Sequence, residues 1–314
     1  MSITIVAGGH TFGNDPPFAT DEDVAKALAV LAANGVTNID TSQAYGNSEA
    51  TLGRVKAGDS FTISTKWGRV EAYLDKSIAW ATKDYIQATA RESIARLGVK
   101  QADIFYLHFP DRNTPLEDTL AGVDAAYREG LFRRFGVSNF SVEAVQTIHD
   151  IATAKGYVLP TVYQGQYNPV ARHFETDLFP TLRKLGISFY AYSPLAGGLL
   201  TKTVQDFKDG KGRFAEGSIY RTLYNKPSYL ASLATWEAAA KAEGVSAAEL
   251  AYRWVAHHSI LSAAHGDALL VGASSLEHFS KSAAWINKGK LSDAAVAAIE
   301  EVWQSVKGEG PLPL

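Results

Sequence analysis

The sequence predicts a single (β/α)8 TIM barrel over residues 1–314, with a long loop after the seventh strand and a helix near the C-terminus. Three observations carry this. Short aliphatic or β-branched runs recur along the chain and end in polar or functional residues. Their ends are spaced close to one strand–helix unit. The segments between them carry helix caps and apolar residues at helical spacing.

The strand ends are Asp40 (after Val36-Thr37-Asn38-Ile39), Lys66 (after Phe61-Thr62-Ile63-Ser64-Thr65) and His108 (after Ile104-Phe105-Tyr106-Leu107). Ser138, Gln164, Tyr192 and Gly272 close four further runs, and Ile3–Ala7 opens the set, giving eight strands. Successive gaps from Asp40 onward are 26, 42, 30, 26, 28 and 80 residues. A strand–loop–helix–loop unit takes roughly 30 residues, about 250 residues shared among eight. All the gaps but the last fit one unit, the second with an insertion.

Between the ends, Asp84 and Gln87 are expected as an N-cap and capping box, with Ile86, Ala90, Ile94 and Leu97 on one face and Gly98 as the stop. Ser141 caps a segment bearing Val145, Ile148 and Ala152, which Gly156 follows; Leu178, Leu182 and Leu185 lead to Gly186. Ser292 opens the last helix, with Val296, Ile299, Val302 and Val306 as its stripe. Alternating short strands and helices imply parallel strands covered on both faces. Near-equal units favour closure over an open sheet. No Gly-x-Gly-x-x-Gly follows the first strand, since Gly8-Gly9 and Gly13 have the wrong spacing, and no phosphate loop is present.

The 80-residue gap opens with Leu195-Ala196-Gly197-Gly198-Leu199-Leu200 and continues through a polar stretch from Lys202 to Tyr229, with Lys208, Lys211, Arg213, Arg221 and Lys226. A connection this long is expected to be unstructured, either a functional lid or a disordered insert, with a solvated surface loop as the plain alternative. Its basic residues and paired glycines suit an anion such as a pyrophosphate.

Composition narrows the function. The chain is 46% hydrophobic and 20% charged, an ordinary globular balance, and its net charge of -3 argues against nucleic acid or an anionic membrane as partner. Cysteine is absent, which excludes disulfides, thiolate catalysis and cysteine metal sites. No apolar run reaches membrane-spanning length and no targeting segment opens the chain, so a soluble, cytoplasmic protein is expected.

Active-site residues of such a barrel gather at the C-terminal ends of its strands. Asp40, Lys66 and His108 close three successive strands, and Tyr45 follows the first of them in a turn. Taken singly, Asp40 and Lys66 read as a structural ion pair and His108 as a satisfied buried histidine. Together they read as a proton-transfer site. Lys66 would lower the phenol's pKa from its usual value of about 10. Asp40 would hold Lys66 protonated, and His108 would orient a substrate oxygen. This suits protonation of an oxygen that gains charge, as when a carbonyl accepts hydride. No metal is expected: His257 and His258 are adjacent and diverge on a helix, and His108 lacks a partner at ligand spacing.

Asp40, Tyr45, Lys66 and His108 resemble the catalytic tetrad of the aldo-keto reductases, (β/α)8 enzymes that bind a nicotinamide cofactor without a Rossmann fold. Leu159 to Asn168, Ser193 to Thr201 and Ala264 to Ala268 are similar to the aflatoxin aldehyde reductase and succinic semialdehyde reductase branch. The resemblance implies reduction of aldehydes, and of some ketones, with NADPH as cofactor and NADH as the weaker alternative. It implies that Ser138, Asn139 and Gln164 hold the carboxamide and that Tyr192 stacks on the nicotinamide. Ser193, Pro194, Leu195, Gly197, Gly198, Leu199 and Arg213 then line the cofactor, with Ala273, Ser274, Ser275, His278 and Ser282 near its 2′-phosphate. The long loop would cover the cofactor. Trp67, Tyr220 and Tyr224 are expected to line the substrate pocket.

Two departures qualify this. No Lys or Arg occupies the usual 2′-phosphate position, and the tail Gly310-Pro311-Leu312-Pro313-Leu314 lacks the terminal arginine of succinic semialdehyde reductases. Small aldehydes are the expected partners, and a homodimer is allowed for. The alternative is a regulatory subunit resembling potassium-channel β-subunits. It would need a docking surface or an N-terminal extension, and with Ile3 already in the first strand no extension is expected.

Overall fold

The computed structural model describes residues 3–68, 75 and 77–309. Eight parallel strands close into a barrel in sequence order. They are β1 (Thr4–Gly8), β2 (Asn38–Asp40), β3 (Thr62–Trp67), β4 (Ala102–Leu107), β5 (Phe132–Ser138), β6 (Pro160–Gln166), β7 (Ser188–Tyr192) and β8 (Ala268–Val271). β8 pairs with β1, so no edge is left exposed. Most bounds fall within a few residues of expectation, but Ile3 lies just outside β1.

Strand alternation divides the core in two. Val6, Ile104, Tyr106, Val162, Tyr190, Ala268 and Leu270 fill the barrel interior. Their neighbours Ala7, Phe105, Tyr163, Ala191 and Leu269 face the helices. Those helices turn the expected stripes toward the barrel: Ile148 and Leu182 are fully enclosed, while Ile94, Leu185 and Val296 are half-buried. Each fully enclosed side chain contributes about 1.5–3 kcal/mol.

The covering helices in order are α1 (Asp21–Ala33), α2 (Ser48–Arg54), α3 (Lys83–Leu97), α4 (Leu116–Arg128), α5 (Val142–Lys155) and α6 (Leu178–Leu185). Gly98, Gly156 and Gly186 end α3, α5 and α6 in left-handed backbone. Ser141 accepts from the Ala144 N–H as the N-cap of α5. One cap differs from expectation. Thr82, not Asp84, precedes α3, and the Lys83 N–H is taken instead by the Asp118 carboxylate at 3.0 Å.

The stretch after β7 is not the unstructured connection expected. It folds as α7 (Val204–Lys208), α8 (Ile219–Tyr224), α9 (Pro227–Glu243) and α10 (Ala247–His257). Thr203 closes a capping box with Asp206, and Ser218 caps α8. Caps at the starts of such short helices satisfy N–H groups that a bare loop would leave to water. α11 (Leu276–Ile286) and α12 (Asp293–Val306) complete the fold. Among the described residues no helix is long and apolar enough to cross a membrane.

Candidate active site

At the C-terminal ends of the strands the structure brings Asp40, Tyr45, Lys66 and His108 together. Asp40 and Lys66 occupy inward positions on β2 and β3, and Lys66 is in register with Tyr106 on β4. The Lys66 ammonium donates to Asp40 Oδ1, and to the Thr41 carbonyl at 2.9 Å. It sits 4.9 Å from the centre of the Tyr45 ring. The His108 ring stands edge-on to Tyr45 at 5.6 Å between centroids.

Burial works against the Lys66 charge, but the Asp40 carboxylate outweighs it and holds the lysine above its ordinary value. Burial likewise pushes the Asp40 carboxyl up, against the pull of Lys66 and Gln164. Tyr45 departs from expectation. Burial raises its phenol above the usual value and Lys66 only opposes that rise, so the site keeps the proton on the oxygen. Burial, then the Lys66 charge, hold His108 well below the usual imidazole range, so the ring is neutral at pH 7.

Gln164 has a second engagement. From β6 it donates its side-chain amide to Asp40 Oδ2 at 2.9 Å, which ties the residue expected at a carboxamide to the carboxylate. Asn139 lies in left-handed backbone (φ 64°) directly after β5. Its amide donates to the His108 carbonyl at 2.9 Å and to Ser138 Oγ at 3.2 Å, and its oxygen accepts from the Tyr192 hydroxyl at 2.9 Å. Ser138, Asn139 and Tyr192 therefore form one connected group beside the tetrad.

After β7 the backbone is left-handed at Ser193, Ala196, Gly197 and Gly198. A Cβ on Gly197 would lie 2.2 Å from Tyr220 Cδ1, so glycine is required under that ring. The Ser193 carbonyl is held by Asn168 at 3.0 Å; Pro194 and Leu199 are buried, and Leu195 is half-buried. Arg213 is exposed, donates to the Tyr220 hydroxyl at 3.2 Å and lies over that ring. Beyond β8, Ser275 caps α11 by accepting from the His278 N–H, and Ser274 Oγ meets His278 Nδ1 at 3.0 Å. Ser282 is buried with its hydroxyl on the His278 carbonyl, and Ala273 is half-buried. Lys281 is paired with Glu277.

Two residues expected in the substrate pocket are elsewhere. Trp67 is buried on the outer face of β3, since it directly follows the inward Lys66; it packs on Phe109 in the layer beneath the helices. Tyr224 is fully buried, with its hydroxyl accepting from Gln166 and its ring against Tyr229. Tyr220 is only half-buried and does lie over Gly197. Arg221 donates to the Phe207 and Phe214 carbonyls, and Lys226 to the Glu309 carbonyl, so neither loop cation is directed to the mouth. Residues 310–314, the apolar tail, lie outside the described residues.

Two further contributors escaped the sequence reading. Ser42 Oγ meets His108 Nδ1 at 3.0 Å. His10 stands edge-on to Tyr45 at 4.9 Å, two residues past the end of β1. His10 is the first polar side chain after the opening run Ile3–Ala7, but Gly8 and Gly9 separate it from that run. Asp267, from the Ala264–Ala268 stretch, is structural: it pairs with Arg183 and accepts from the Phe189 and Ser262 N–H groups. His257 and His258 each bond the backbone near α11, and the described residues include no cluster able to hold a metal.

The closed parallel barrel thus carries a buried lysine–carboxylate pair at its mouth, with Tyr45 and His108 packed beside it. A sequence profile of the Aldo/keto reductase family matches residues 4–304, and the chain belongs to that family. It is an oxidoreductase. It is 40% identical to the oxidoreductase sirO of Leptosphaeria maculans over 93% of this chain and 89% of that one. It is 40% identical to human aflatoxin B1 aldehyde reductase member 2 over 91% of this chain and 83% of the relative. It is 39% identical to human member 4 over 98% and 95% respectively.

Proposed function

We propose that this chain reduces aldehydes, and some ketones, to alcohols with NADPH, and that Tyr45 supplies the proton. The observation that carries the reading is geometric: the Tyr45 ring lies 4.9 Å from the Lys66 ammonium, which is paired with Asp40, and stands edge-on to His108. The human relatives are aldehyde reductases by name, which supports an aldehyde substrate.

The residues beside the tetrad fit a nicotinamide dinucleotide. Ser138 and Asn139 offer amide and hydroxyl groups for a carboxamide, and the half-buried Tyr192 offers an aromatic face. The left-handed backbone from Ser193 to Gly198 allows close approach of a pyrophosphate. Space is open around Gly272, where an added Cβ would meet nothing within 4 Å, next to the capped start of α11 with Ser274, Ser275 and His278. When bound, the cofactor supplies the hydride.

The protein's part is the proton. His108 donates a hydrogen bond to the carbonyl oxygen and orients it. As the carbonyl carbon gains hydride, its oxygen takes the Tyr45 hydroxyl proton and leaves an alcohol. The phenolate so formed lies beside Lys66, whose charge is secured by Asp40. Solvent then restores the proton. A cytoplasmic site of action belongs to the same proposal, and the cysteine-free composition is compatible with it. Aldehyde-dependent oxidation of NADPH by the purified protein, across a panel of aldehydes, tests the reading; no turnover with any of them refutes it.

A further inference from the structure

Because His108 is neutral at pH 7, it carries one ring N–H, and which nitrogen holds it decides what the ring can do. Nδ1 is 3.0 Å from Ser42 Oγ, a contact whose direction the heavy atoms leave open. The surroundings of Ser42 close it. Ser42 is 1% exposed, and its Oγ already accepts the Ala44 N–H at 3.1 Å. Among the described residues, His108 Nδ1 is the acceptor within reach of the Ser42 hydroxyl hydrogen. Were Nδ1 the donor, that hydrogen would be buried without an acceptor, an arrangement folded proteins avoid.

We propose that Ser42 is a positioning residue for His108: its hydroxyl donates to Nδ1, which places the ring proton on Nε2, the nitrogen left for a substrate carbonyl oxygen. The backbone is fixed from the other side, where Asn139 donates to the His108 carbonyl at 2.9 Å. Gly68 packs closely on the side chain, since a Cβ there would lie 3.1 Å from His108 Cβ. Ser42 thus sets the proton of a ring already held in place. Its effect on turnover rests on the reductase reading above; the tautomer itself does not.

The experiment uses protein labelled with 15N-histidine. The chain has 8 histidines, and the His108 signals are assigned by their loss in His108→Gln. Long-range 1H–15N spectra at pH 7 should show wild-type His108 protonated at Nε2 and bare at Nδ1. In Ser42→Ala that pattern should become averaged or reversed. The variant's kcat for aldehyde should fall by about 3- to 10-fold, the size of one hydrogen bond's loss, with NADPH affinity unchanged. Ser42→Thr, which keeps the hydroxyl, should restore both. Protonation of wild-type His108 at Nδ1, an unaltered spectrum in Ser42→Ala, or an unaltered kcat in that variant overturns the proposal. If the wild type reduces no aldehyde, the reductase reading fails and the positioning role falls with it, while the spectra still decide the Ser42 contact.

Discussion

Lys66 and Asp40 are paired where neither meets solvent, the lysine side chain at 0% exposure and the aspartate at 4%. Such a pair is weak evidence of stability by itself, because desolvation opposes its attraction. Breaking one side is another matter. Asp40→Asn leaves an ammonium buried without its counter-charge and should cost about 3 kcal/mol in urea unfolding. Lys66→Met should cost a similar amount. The double variant should lose about 2 kcal/mol less than the singles added together, and it should be inactive. Additive losses would mean that the two side chains act independently.

The pH profile follows from Tyr45. Burial raises the phenol above its usual value, so the proton is present at low and neutral pH and is lost only as pH climbs through the raised value. Reduction should therefore hold a level kcat from about pH 6 to about pH 9, falling above about pH 10. His108, well below the usual range, stays neutral across that window and adds no break. A fall in kcat centred near neutrality would contradict the assignment.

Cofactor preference turns on the start of α11. Ser274, Ser275 and His278 stand there, and among the described residues the Lys281 ammonium on the same helix is paired with Glu277. A helix start and neutral donors favour a phosphate, but less than a bidentate arginine does. Arg213 is exposed on the stretch after β7, beside the Tyr220 hydroxyl. NADPH should bind more tightly than NADH by a margin on the order of tenfold, about 1.4 kcal/mol. Fluorescence titration with each cofactor measures this, and a preference for NADH refutes it.

Substrate class follows from the loop cations. A carboxylate entering the mouth loses water and needs a compensating charge. Arg221 and Lys226 are bonded to carbonyls elsewhere, while Tyr220 presents an aromatic ring near Gly197. An aryl aldehyde such as nitrobenzaldehyde should show a higher kcat/KM than succinic semialdehyde, compared at one pH with saturating NADPH. The reverse order would show that a cation does reach the substrate.

The barrel and the tetrad were legible because both depend on strand ends, which short apolar runs and their spacing mark well. The parity of β3 corrects one expectation: Trp67 follows the inward Lys66 and so faces the helices, not the substrate pocket. The order within the long loop was harder to read. α7 and α8 span 5 and 6 residues, too short for periodicity, although the capping pair Thr203 and Asp206 signals the first. The burial of Tyr224 and the carbonyl partners of Arg221 and Lys226 are tertiary facts that no local pattern carries. Tyr45's raised pKa is of the same kind. Its sign depends on burial outweighing a nearby charge, and residue types alone do not weigh those effects.

The central claim is that the Tyr45 hydroxyl gives the proton. Tyr45→Phe keeps the ring against His10 and His108 while removing that proton. Steady-state aldehyde reduction by the variant, with NADPH binding checked by titration, tests it most directly. The expected result is a kcat lower by roughly 10²–10⁴-fold with cofactor affinity retained. A kcat close to that of the wild type would contradict the mechanism.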